Sequence, residues 1–83
     1  MATVATKLKA LEVVVEILFE DDLISRILTK LRTYHRWGFE QVYLVDPPNR
    51  VLFRWHEHRL EEVSELAGIP ADRIWSRLDL ALQ

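Results

Sequence analysis

Leu23, Ile24, Ile27, Leu28, Leu31 and Tyr34 recur at helical spacing, with Ser25, Arg26, Thr29, Lys30, Arg32, Thr33 and Arg36 on the opposite side. This amphipathic stretch, residues 22–37, lies between two short segments patterned as strands, Glu12–Leu18 and Gln41–Val45. Two strands joined through a helix cannot form a hairpin. The crossover makes them parallel neighbours in one sheet with the helix stacked on a face. Asp21 or Asp22 is placed to cap the helix and complement its dipole, and Gly38 to take the left-handed position just past its end.

The first strand has a competitor. Val4, Leu8, Leu11, Val15 and Leu18 fit a heptad-like stripe, which argues helix, whereas Val13-Val14-Val15 with Ile17 is a β-branched run at home in a buried strand. The strand reading is taken, with residues 1–11 as an extended or frayed segment. Gln-Val-Tyr-Leu-Val at 41–45 is stopped by the turn Asp46-Pro47-Pro48-Asn49. Arg50–His58 then alternates, with Val51, Phe53 and Trp55 on one side and Leu52, Arg54, His56 and His58 on the other, which predicts an antiparallel hairpin. Leu60–Leu66 reads either as an edge strand, the preferred reading, or as a helical turn. Pro70–Leu82 is a second helix with the stripe Ala71, Ile74, Trp75, Leu78, Ala81 and Leu82. The expected fold is one mixed α/β domain over residues 1–83, with the core in 12–82. Its order is strand, helix, strand, strand, weak strand, helix.

Composition narrows the function classes. With 49% hydrophobic and 29% charged residues the chain can build a core, so disorder is excluded. No apolar run approaches the ~20 residues of a membrane helix, and no secretory signal is expected. Without cysteine there are no disulfides, thiolate nucleophiles or Cys-based zinc sites, and the expected compartment is the cytoplasm. A net charge of −2 argues against a general polyanion binder, so any nucleic-acid contact needs a local basic patch.

Val14-Val15-Glu16-Ile17-Leu18, Lys30-Leu31-Arg32-Thr33-Tyr34, Gly38 and Val42-Tyr43-Leu44-Val45-Asp46-Pro47 occur here in a specific order and spacing. So do Ala67-Gly68-Ile69-Pro70 and Arg73-Ile74-Trp75-Ser76-Arg77-Leu78. Over residues 12–80 the pattern resembles the C-terminal half of the Uma-two family of restriction-endonuclease-like proteins, relatives of the PD-(D/E)XK nucleases. The resemblance implies a truncated restriction-endonuclease-like core. In that fold a strand-borne acidic residue binds a divalent cation and a lysine, in some members carried on the next helix, supports the attacking water. Glu16 matches the acidic metal ligand and Lys30 the helix lysine. Mg²⁺ is the implied cofactor: it takes hard oxygen ligands and keeps waters, one of which could attack a phosphodiester in DNA.

The departures are as informative. The family's metal-binding Asp lies on a strand upstream of the glutamate, but here no Asp precedes Asp21. Glu12 and Glu16 share a strand face, yet four residues at about 3.3 Å rise separate them by roughly 13 Å, too far to grip one cation unaided. Phe19-Glu20 replaces the usual Ser-Pro, and Arg26 replaces an acidic helix position. The implied protein is a degenerate member with an incomplete metal site.

Each candidate has a plainer reading. Glu16 fits a strand-end carboxylate paired with Lys30 or Arg26, and Lys30, Arg32 and Arg36 suit the later turns of a helix without any ligand. His56 and His58 flank Glu57 and could chelate a transition metal, but no third ligand is evident in the sequence, with His35 left open, and solvent-facing histidines on a hairpin are the simpler account. Asp46 reads as a turn residue accepting bonds from the backbone that follows, and Trp37, Trp55 and Trp75 as core or interface anchors. Two functions remain. One is metal-dependent phosphodiester hydrolysis, with the missing Asp supplied by another chain or residue. The other is a non-catalytic module that dimerises through a strand edge left open by truncation, with Thr3–Leu11 as a further pairing segment.

Overall fold

The computed structural model describes residues 2–8 and 11–81, with side chains from 13 to 80. It is a mixed α/β structure. Strand β1 (Ala2–Leu8) and β2 (Leu11–Ile17) form an antiparallel hairpin, α1 (Ile24–Arg36) crosses over, and β3 (Gln41–Asp46) returns parallel to β2. Strands β4 (Val51–His56) and β5 (Arg59–Val63) follow antiparallel, giving a sheet of order β1-β2-β3-β4-β5. A short ribbon, β6 (Glu65–Leu66) with β7 (Ile69–Pro70), leads into α2 (Ala71–Ala81).

The two helices pack on opposite faces of the sheet. Val14, Val42, Leu44 and Trp55 meet Ile27 and Leu31 of α1, while Val13, Tyr43, Val45 and Leu52 meet Ala71, Ile74, Trp75 and Leu78 of α2. Side chains alternate across a strand, so a strand covered on both sides must be apolar without interruption. This explains Val42-Tyr43-Leu44-Val45, where every residue is buried, and it decides the Val13-Val14 run in favour of strand. At roughly 25 cal/mol per Å² of apolar surface, burying side chains of this size contributes about 1.5–3 kcal/mol each. No helix among the described residues is long and apolar enough to cross a membrane.

Several local expectations need correction. Residues 2–8 are not frayed: β1 pairs with β2 over its whole length and covers the β2 edge, so the open edges are those of β1 and β5. Leu82 lies outside the described residues, as do the side chains of Glu12 and Ala81. Strand β4 ends at His56. Glu57 and His58 carry φ of 48° and 68° and form the two-residue turn into β5, so His58 does not continue the alternation with His56. Such primed turns match the right-handed twist of a hairpin, but they favour Asn-Gly over Glu-His. Leu60–Leu66 divides into the edge strand β5 and the start of the small ribbon.

Gly38, at φ 93°, takes the left-handed position after the C-cap Trp37, and its N–H donates to the His35 carbonyl. The opposite end of α1 differs from expectation: Leu23 is the N-cap and no side chain caps it. Asp22 instead closes the β2–α1 connection, its Oδ2 accepting the Phe19 N–H at 2.8 Å. That bond holds the Asp22 carboxyl below the usual aspartate range, with the Lys30 charge a smaller aid. A depressed pKa contributes stability above the unfolded-state value of about 3.9, and the contribution is lost as pH falls through the folded value. Asp22→Asn is therefore expected to melt below the parent protein at pH 7, with the two melting temperatures converging as the pH is taken below about 3.9.

Candidate functional site

Glu16 sits on the β2 face that carries Val14, beneath α1, and its accessible surface is 0%. Ile27, Leu31 and Tyr34 fall one helical turn apart along the inward stripe of α1, so the last of them arrives above Glu16. The Tyr34 hydroxyl donates to Glu16 Oε1 at 2.5 Å, and the Tyr34 ring is held edge-on by Trp37 and Phe39, with centroids 5.9 and 6.0 Å away. A buried carboxylate is costly without hydrogen bonds, and a hydroxyl donor in a short contact of this kind offsets much of that cost.

Lys30 occupies the same helix one turn earlier, but it is exposed, and no ion pair or hydrogen bond among the described residues joins it to Glu16. Its charge is felt instead at Asp22. The crossover thus leaves Glu16 in the sheet beneath α1 and Lys30 on the exposed side of the helix, without a direct bond. Tyr34 is the partner that sequence reasoning missed, although a tyrosine ending an apolar stripe is a signal: its ring packs while its hydroxyl seeks a polar group. Among the described residues no group of three or more His, Asp or Glu side chains lies together to hold a metal ion. Further ligands to a cation at Glu16 would have to come from elsewhere.

The remaining candidates separate. Asp46 is a turn residue, accepting the Asn49 backbone N–H at 3.3 Å and its side-chain amide at 3.0 Å. His56 lies 3.7 Å from Glu57, whereas His58 turns toward His35, their ring centroids 6.3 Å apart. Trp55 is a core residue and Trp75 packs in the second core under Arg50, but Trp37 is 68% exposed. On the α2 face, the Tyr43 hydroxyl donates to Gln41 Oε1 and accepts the Ala67 N–H, which ties the β6–β7 ribbon to the sheet.

No family model, curated protein or solved structure matches the chain. The Tyr34–Glu16 bond gives a direct stability test. Tyr34→Phe keeps the ring and removes the hydroxyl, and it is expected to cost about 1–3 kcal/mol in urea unfolding.

Proposed function

We propose that this chain is a non-catalytic interaction module that pairs with a second copy of itself through the outer edge of β1. The observation that carries this reading is the contrast between the two ends of the sheet. The β5 edge is protected by charge, with Arg59, Glu61 and Glu62 along five residues. The β1 edge runs for seven residues, Ala-Thr-Val-Ala-Thr-Lys-Leu, with one charge and no proline. A long uncharged edge is a template for another strand, and a two-fold antiparallel pairing of β1 with its copy would continue the sheet through both molecules. Ala2 lies opposite Ile17 at the end of that edge where Phe19, Leu23 and Ile24 stand 46–57% exposed. The buried position of Glu16 is in keeping with a structural rather than a catalytic role. A chain without cysteine suits a cytoplasmic setting.

Amides in an antiparallel strand point alternately toward and away from the inner neighbour. Single prolines at Thr3, Val4, Ala5 and Thr6 are therefore expected to act with a period of two. Alternate positions should give folded monomers, and the intervening ones should unfold the hairpin. Light scattering should report a dimer for the parent chain at micromolar concentration; a monomer there removes the reading.

The second reading is a degenerate PD-(D/E)XK-like protein, a metal-dependent phosphodiesterase acting on DNA with Mg²⁺ at Glu16 and Lys30 as the supporting lysine. The passage of β2 through α1 to a parallel β3, with Glu16 on the strand and Lys30 on the crossover helix, is the order this reading expects. It needs the missing Asp to be supplied by another chain or another residue, and a dimer would offer the former. Titration calorimetry with Mg²⁺ and Mn²⁺ on the parent and on Glu16→Gln decides it. This reading expects metal-dependent heat that the variant loses, and absence of heat in the parent eliminates it.

A further inference from the structure

We propose that the last turn of α1 and the β4–β5 turn together form a binding site for a phosphate group, either the free ion or the end of a phosphomonoester. Arg32, His35 and Arg36 share one face of α1, and His58 comes over from the turn to meet them. With Trp55 they line a depression of about 240 Å³. The four polar side chains are exposed at its rim, whereas Trp55 is 5% exposed with the Arg32 guanidinium 5.9 Å from its ring centre.

Three observations point to an anionic occupant. First, the charge is uncompensated. No acidic residue occurs between Leu23 and Phe39, and none of the ion pairs among the described residues includes Arg32, Arg36, His35 or His58. In a chain with net charge −2 this is a local reversal of sign. Second, one of the cations is already positioned at the depression, the Arg32 guanidinium resting 5.9 Å from the ring centre of the buried Trp55. Third, His58 is held beside His35 by a turn in which two non-glycine residues adopt positive φ. Strain of this kind persists where the surrounding structure needs the geometry, and it clusters at ligand sites.

The helix dipole alone accounts for cations near the end of α1. It does not account for a histidine brought across from another element. Arginine offers a planar fork that matches two phosphate oxygens, and two of them one turn apart can hold a tetrahedral dianion between them. Imidazole N–H groups on either side would supply further donors. This assignment does not depend on self-association through β1, since it uses no residue of that strand.

His58→Gly provides a test in which stability and binding move in opposite directions. Glycine adopts the turn conformation without strain, so the variant should unfold at higher urea than the parent, yet it removes one of the proposed donors. Inorganic phosphate and glycerol 1-phosphate are titrated into the full chain at low ionic strength, with sodium chloride as the control, and the Trp55 indole and arginine side-chain N–H resonances are followed by NMR. The expected result is saturable shifts with either phosphate compound and none with chloride. Affinity should fall about tenfold in Arg36→Ala, the loss of about 1.4 kcal/mol, and measurably in His58→Gly. The tighter of the two compounds identifies the source of the phosphate. Shifts that grow without saturation, or that are equal in the parent, His58→Gly and Arg36→Ala, overturn the proposal.

Discussion

Burial of β3 on both faces is the constraint from which the remaining architecture follows. A strand in which Val42, Tyr43, Leu44 and Val45 are all excluded from water requires a cover above and below the sheet. Helix α1 supplies one cover and α2 the other. The sheet itself is built by four neighbouring pairings, so the backbone groups of the inner strands β2, β3 and β4 are paired within it while their side chains meet the helices. Tyr34 brings a hydroxyl to Glu16 from the covering helix, and the Tyr43 hydroxyl is met by Gln41 of its own strand and by the Ala67 N–H of the β6–β7 ribbon.

This arrangement changes the meaning of the central carboxylate. In a sequence, Glu16 amid valines and isoleucine invites a chemical explanation, because charge in an apolar strand is expensive. In three dimensions it is enclosed by the helix that follows it, and a tyrosine hydroxyl is part of that enclosure. The exposed cations of α1 lie on the outer side, facing solvent, and their density increases toward the helix end that meets the β4–β5 turn. The chemistry-bearing side chains of α1 are thereby divided between an inner hydroxyl that completes the core and an outer charged rim.

Much of this was legible in the residues. The apolar period of α1, the alternation of β4, the Asp46 turn and the parallel relation of β2 to β3 all follow from patterns that a single chain displays. Strand β1 was harder to read, because Ala-Thr-Val-Ala-Thr has weak alternation and a heptad competitor, and its pairing is decided by β2 rather than by its own sequence. The capping role expected of Asp21 or Asp22 is not met because Leu23 takes the N-cap position, and the Asp22 side chain closes the loop at Phe19 instead of the helix. The turn at Glu57 and His58 carries no glycine or asparagine to announce it, so strict alternation through His58 looked continuous. The Glu16–Tyr34 contact spans eighteen positions and is visible only once α1 has been laid on the sheet.

Strand order along the sheet equals order along the chain, and this has a kinetic meaning. Three of the four pairings are local hairpins, each closed by a short connection. The fourth, β2 with β3, must gather strands separated by the whole of α1 before any of its hydrogen bonds form. The chain entropy of reaching the native topology is therefore concentrated in the single closure that lays α1 on the sheet.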